Sequence, residues 1–234
     1  DEKTVMLNFN RILSEHDDSG NLVSRIYMLG DLKHRTDGPA VVYTNGDSEY
    51  WVNGVRHNED GPVVNTTLIK IYYVNGRIHR VGGPAIISTG TKNYSAKGDN
   101  LHHHVTSDKF EMWIENGQFH RVGGPAIVTD NGDICWYLRG SKHNLFGCAE
   151  VVGDIKRYYV NGSRYDTEAE YKLAVERFVE MRKKTIQSHT ESIHGFLEIV
   201  AEPTSGKFAV EIDGKVIHCL FYLILSYTFT IFSL

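Results

Sequence analysis

Tyr72-Tyr73-Val74-Asn75-Gly76-Arg77-Ile78-His79-Arg80-Val81-Gly82-Gly83-Pro84-Ala85 recurs further along the chain as Trp113-Ile114-Glu115-Asn116-Gly117-Gln118-Phe119-His120-Arg121-Val122-Gly123-Gly124-Pro125-Ala126. Self-similarity at a fixed period decides an architecture before local propensity does, because each copy has to bury its apolar face on its neighbours. Upstream, Leu32-Lys33-His34-Arg35-Thr36-Asp37-Gly38-Pro39-Ala40 is another copy, and Trp51-Val52-Asn53-Gly54-Val55-Arg56-His57 runs on to Gly61-Pro62-Val63. His34, His57, His79, His120 and His143 are spaced by 23, 22, 41 and 23 residues. The long interval divides into 23 and 18 if Tyr94, Gly98 and His102 belong to a decayed copy that has lost its Gly-Pro turn. Tyr158-Tyr159-Val160-Asn161-Gly162-Ser163-Arg164-Tyr165 is a last copy, with tyrosine at the histidine position. The array amounts to about six copies of a unit of roughly 22 residues.

Each unit carries two turn signals. Asn-Gly at 75–76, 116–117 and 161–162 follows an aromatic or branched run, and both residues tolerate the positive φ of a two-residue hairpin turn. Gly-Pro at 38–39, 61–62, 83–84 and 124–125 marks a second bend, where proline owes the sheet no N–H. Further turns stand at Asn45-Gly46 and Asn131-Gly132, and the segments between them are β-branched and aromatic. The expected fold is mainly β, an elongated antiparallel β-meander with a C-terminal helix and a further β-hairpin, in one continuous sheet with the two turn types along its two edges. Residues 1–25 form a lead-in strand or strands, 26–165 the array, 166–190 a capping helix and 191–234 a β segment with a hydrophobic tail.

The aromatic-x-x-Asn-Gly-x-x-His-Arg-x-x-Gly-Pro-Ala pattern resembles the variant MORN repeat, found in giant DNA viruses and some bacteria, and covers roughly Ile26 to Tyr165. The resemblance implies a non-catalytic scaffold for protein–protein interaction, a structural component of a large viral assembly among the settings it suggests. Ordinary MORN units favour a second glycine near the aromatic, whereas here a Gly-Pro-Ala bend is the hallmark. The lipid binding sometimes proposed for MORN proteins therefore transfers poorly.

Composition agrees with a folded protein: 41% of the 234 residues are hydrophobic. A formal net charge of −4 supplies no global attraction to phosphate, so no nucleic-acid partner is expected. Cys135, Cys148 and Cys219 lie far apart, an odd number without a C-x-x-C pair, which fits a reducing compartment or a virion better than a disulfide framework or a thiolate zinc site. The residues following Asp1 lack the basic stretch and apolar core of a secretory signal.

Thr167 and Glu170 read as a capping box, and Tyr171, Ala174, Val175, Phe178 and Met181 follow at helical spacing. This helix should cover the exposed last strand of the sheet. Beyond it, Phe208–Ile212 and Lys215–Cys219 flank Asp213-Gly214 as a hairpin. The uncharged run Cys219–Leu234 has two readings. A helix from Val216 to Leu234 would be long enough to cross a bilayer core, but Ser226-Tyr227-Thr228-Phe229-Thr230-Ile231 alternates as a strand does. The strand is the expectation, with self-association through the tail, and a tail-anchored or peripheral adaptor is the alternative function.

Equivalent histidines in successive hairpin units lie about 10 Å apart, too far to share an ion whose ligands sit within about 4 Å of one another. No metal or cofactor is expected. Each imidazole is instead expected to brace its own Gly-Pro bend through a backbone hydrogen bond. Trp51, Trp113 and Trp136 belong to the apolar face of the sheet or to an exposed strip for a partner. Arg35, Arg80 and Arg121 are candidates for a basic ladder, interrupted by Asn58 and Asn144 in other copies. No Ser-His-Asp, Cys-His, phosphate-loop or paired-acid arrangement stands in a context that would support catalysis, and no enzyme is expected.

Overall fold

A computed structural model describes residues 9–90, 94–98, 101–105, 107–192, 198–201, 207–212 and 215–220. The short segments between turns build one 14-stranded antiparallel sheet in chain order. It starts with β1 (Arg11–His16) and β2 (Leu22–Leu29), continues through pairs such as Val41–Tyr43 with Ser48–Glu49 and Ile127–Thr129 with Ile134–Cys135, and ends at Ser163–Tyr165. Side chains alternate across a pleated strand, so register alone generates two rows. One runs from Ile26 through Val41, Glu49, Val64, Ile71, Ile86, Met112 and Ile127 to Cys135 and is buried except at Glu49 and Val64, which are half-buried.

Four hairpins, closed by Asn53-Gly54, Asn75-Gly76, Asn116-Gly117 and Arg139-Gly140, are not part of this sheet, which corrects the expectation of one sheet edged by two kinds of turn; the hairpin closed by Asn161-Gly162 stays in it. Trp51–Val52 with Val55–Arg56, Tyr73–Val74 with Arg77–Ile78, Ile114–Glu115 with Gln118–Phe119, and Tyr137–Leu138 with Ser141–Lys142 are separate two-stranded ribbons. The ladder changes hands at the residue before each ribbon. The Tyr72 N–H donates to the Ala85 carbonyl in the neighbouring strand, while its own carbonyl accepts from His79 N in its own hairpin. Each ribbon thereby leaves the sheet and covers its buried row: Ile78, Ile114, Phe119 and Tyr137 share one apolar cluster with Ile71, Ile86, Met112 and Ile127. At about 1.5–3 kcal/mol per fully buried large side chain, this double layer is the main apolar contribution to the array.

The 41-residue interval does not contain a decayed copy. Ile86–Thr89 pairs directly with Lys109–Met112, Ile86 against Met112 and Thr89 against Lys109, and the hairpin around His79 bonds straight to the one around Asn116. Residues 90–108 stand where 44–47 or 130–133 make a tight turn elsewhere, and they carry their own hairpin, Tyr94–Gly98 with Leu101–Val105. The similarity of Tyr94, Gly98 and His102 to a repeat was coincidental. Spacing alone cannot separate a lost copy from an insertion at a turn.

Helix α1 (Glu168–Ser192) begins at the expected capping box, with Thr167 N donating to Glu170 Oε2 at 3.2 Å and Glu170 N to Thr167 Oγ1 at 3.2 Å. Tyr171 and Phe178 join Leu145 and Val160 in a second core, flanked by Ala174 and Val175, so the helix covers the last strands as expected. Met181 is 60% exposed; Val179 packs on that core instead. Glu198–Ala201, Lys207–Ile212 and Lys215–Leu220 form a three-stranded sheet, with Ile212 opposite Lys215 as a hairpin through Asp213-Gly214 requires. Of the tail Cys219–Leu234, Cys219 and Leu220 end the last of these strands, and 221–234, on which the choice between strand and anchor turns, lie outside the described residues, as do the side chains of His102, His103 and His104. Among the described residues no helix is long and apolar enough to cross a membrane.

Because residues 90–108 emerge from a turn and the flanking strands already pair, replacing them with a two-residue Asn-Gly turn should leave the array cooperative. The melting temperature, followed by circular dichroism, should move by less than about 5 °C. Loss of a single sharp transition would show that the insertion is part of the fold.

Candidate functional site

The recurrent polar residues converge at the joint between one unit and the next. In a two-residue turn with both φ angles positive, the first central residue has no partner for its N–H within its own hairpin, and the second faces outward as well. Asn53, Asn75, Asn116, Arg139 and Asn161 occupy the first position at φ of 48–51°, each followed by a glycine at 75–83°. The preceding unit satisfies both donors. The glycine N–H goes to a carbonyl of the preceding hairpin: Gly54 to Lys33, Gly76 to Arg56, Gly117 to Ile78, Gly140 to Phe119 and Gly162 to Lys142, all at 2.8–2.9 Å.

The other N–H goes to a histidine. Asn53 N donates to His34 Nδ1 at 2.9 Å, Asn75 N to His57 at 3.2 Å, Asn116 N to His79 at 3.0 Å, Arg139 N to His120 at 3.2 Å and Asn161 N to His143 at 2.9 Å. The histidines therefore do not brace their own Gly-Pro bends; each is a staple to the next repeat. Nδ1 accepts only when it carries no proton, which sets the neutral Nε2–H tautomer at all five positions. Burial lowers the pKa of His143 to about 4, with the Arg182 charge adding to the effect, and burial lowers that of His120 too, where Glu115 pulls it up and Arg139 pulls it down. At the N-terminal end of the array, Asn10 Oδ1 takes the staple's place by accepting from Gly30 N at 3.1 Å.

The bends are braced by the residue after the histidine. Arg80 Nη1 donates to the Pro84 carbonyl at 3.0 Å, Arg121 to Pro125 at 3.0 Å and Arg35 to Pro39 at 3.5 Å. The same guanidinium groups lie over aromatic rings, Arg35 over Tyr27 at 4.1 Å, Arg80 over Tyr72 at 4.0 Å and Arg121 over Trp113 at 3.6 Å. They are internal to the repeat and do not form a basic ladder for a ligand. Asn58 and Asn144 preserve the brace with an amide, donating to the Pro62 and Cys148 carbonyls at 3.4 and 2.9 Å. The guanidinium also explains the glycine. A Cβ on Gly38, Gly83 or Gly124 would come within 2.9–3.3 Å of it, whereas on Gly61, beside Asn58, the nearest atom is at 3.5 Å.

The tryptophans do not form one exposed strip. Trp113 and Trp136 hold the position of Tyr72, and Trp51 holds the position of Tyr73. All three are half-buried; Trp51 donates Nε1 to Glu49 Oε2 at 2.9 Å and lies under Arg56 and Lys33. Several contributors escaped sequence reading. The residue after each bend proline, Ala40, Val63, Ala85 and Ala126, and its counterpart Ala149 are all fully buried, a pattern that Gly-Pro-Ala itself advertised. The Arg139-Gly140 turn was hidden because arginine is no turn signature. Glu150 replaces an apolar core residue and is held by Lys142 and by Arg157 at 2.9 Å, with the Cys135 thiol 3.8 Å away. Burial, and after it the Glu150 charge, pushes that thiol up to about 12, so Cys135 is a poor nucleophile.

Among the described residues no group of three or more His, Cys, Asp or Glu side chains could hold a metal ion. No protein-family model, curated protein or solved structure matches the chain.

Two outcomes follow from the joint. Gly124→Ala should cost about 1–2 kcal/mol by displacing Arg121 from its carbonyl and ring, while Gly61→Ala should stay within about 0.5 kcal/mol in urea unfolding; equal losses would contradict the guanidinium brace. For His143 the folded pKa lies below the ordinary value, so the unfolded chain takes up the proton first and its stabilisation, complete above pH 6.5, is lost as pH falls toward 4. Wild type should lose about 2 kcal/mol through this residue between pH 6.5 and 5, and His143→Gln should flatten that part of the stability profile.

Proposed function

We propose that this chain is a non-catalytic scaffold of MORN-like variant repeats that holds protein partners along the open face of its long sheet, within a large assembly such as a virion. The observation that carries the reading is the consumption of the recurrent histidines, arginines and bend glycines in joining and bracing the units. Residues tied up in this way extend a surface and are not available to bind a substrate.

The face left open is the second row generated by register. Lys70, Ile87, Glu111, Val128, Ile134, Val151 and Lys156 stand opposite one another in that order across successive strands, and the aliphatic members are half-buried. Within it the apolar run Val128, Ile134 and Val151, with Glu111 at one end and Lys156 at the other, suits an extended protein segment of matching pattern, with aliphatic burial supplying affinity and the flanking charges setting register. Adjacent units contribute equivalent positions, so partner length and repeat number scale together.

Quantitative affinity capture from the native source, comparing wild type with the double variant Ile134→Glu, Val151→Glu, tests this. Proteins retained by wild type should fall at least tenfold with the double variant and remain with Lys183→Glu on the helix. Equal capture by all three would remove the open face from the function. Retention of lipid vesicles in place of proteins would favour the membrane-adaptor alternative.

A further inference from the structure

We infer that β1 is a self-association edge, through which two copies of this chain pair antiparallel about a two-fold axis at Leu13. The two ends of the long sheet are finished differently. The C-terminal end is covered by α1, which packs on Ile155–Val160 and Ser163–Tyr165. At the other end, among the described residues, no strand lies beyond β1, and all six of its residues are exposed, including Ile12 at 48% and Leu13 at 39%. A strand with one free side presents a row of unpaired backbone groups and is a template for a further strand.

Hydrogen-bond parity selects the register. In β2, Tyr27 N and Val23 O bond toward Ala40 and Thr44, so Ser24, Ile26 and Met28 direct their backbone groups to β1. Their partners there are Glu15, Leu13 and Arg11. Ile12 and Ser14 therefore direct their N–H and C=O outward. In an antiparallel pair centred on Leu13, Ile12 of one copy meets Ser14 of the second as a hydrogen-bonded pair, and the reverse pair forms on the other side of the axis. Leu13 then faces Leu13 of the second copy, and Arg11 faces Glu15 twice.

The strand is thus complementary to itself in backbone parity, apolar contact and charge. A two-fold axis requires that, because the same patch must serve both partners. The groups that Arg11 and Glu15 contact within one chain do not prevent this pairing. Arg11 reaches the fully exposed Asp31 at 3.3 Å and Glu15 accepts from Ser24 at 2.6 Å, which leaves its second carboxylate oxygen for the guanidinium. The register shift between Glu15 and His16 ends the pairing on both sides. The scaffold reading and this one are independent, since the open face and the β1 edge share no residue.

The test is oxidative cross-linking of the full-length chain. Facing residues at a pair without mutual hydrogen bonds have Cα atoms about 4.5 Å apart, within disulfide reach. Leu13→Cys should convert most of the chain to a covalent dimer on a non-reducing gel, while wild type and Val23→Cys, exposed on the neighbouring strand, should not. Adding Ser14→Pro to Leu13→Cys removes an outward N–H on an edge strand, where proline is compatible with the fold, and should cut the dimer at least tenfold. In sedimentation velocity Glu15→Arg should dissociate the wild-type dimer and Arg11→Glu, Glu15→Arg should restore it. Dimer yield no greater for Leu13→Cys than for wild type, or unaffected by Ser14→Pro, would overturn the inference; association through the C-terminal tail would give that second pattern.

Discussion

A two-residue turn with both central residues at positive φ points two backbone N–H groups away from its own hairpin, and an unpartnered buried donor costs about 1–3 kcal/mol. In this protein both donors are taken by the preceding unit, one by a carbonyl and one by a histidine Nδ1. No hairpin is therefore complete alone. The Asn-Gly turn depends on the histidine before it, that histidine sits beyond the previous Asn-Gly turn, and the chain of dependence runs from Asn10 to Asn161. The sheet beneath supplies most of the apolar burial, but these joints set the pitch at which its strands follow one another.

The joint also accounts for the composition of the unit. Histidine is suited to the staple because its unprotonated Nδ1 is an acceptor at the end of a short, stiff side chain, and Asn10 performs the same task with an amide oxygen for the Gly30 turn. Arginine is suited to the bend because its planar group can donate to the proline carbonyl and lie on the aromatic ring at once. Glycine stands in the bend to leave room for that plane. The substitutions seen between copies respect these tasks: asparagine for arginine keeps the bond and gives up the ring contact.

Since the polar chemistry is spent inside the array, the binding proposed above falls to surfaces the repeat does not use. The open sheet face and the β1 edge are of that kind. They differ in physical character, the first offering side chains and the second backbone groups, so they would recognise different partners.

The period, the β character, the Asn-Gly turns and the capped helix were all legible in the sequence, because they rest on local rules: positive φ at Asn-Gly, alternation in a strand, and the capping box of Thr167 and Glu170. The destination of each side chain was not. Whether His79 turned back to its own bend or forward to Asn116 depended on the hairpins leaving the sheet, and that follows from which strand occupies the space beside Tyr72. Whether residues 90–108 were a worn copy or an insertion depended on Ile86 finding Met112 across the sheet. Local sequence determined what each unit is made of; tertiary packing decided which unit each bond belongs to, because a backbone donor left open in one hairpin can be satisfied only by a group that folding brings beside it.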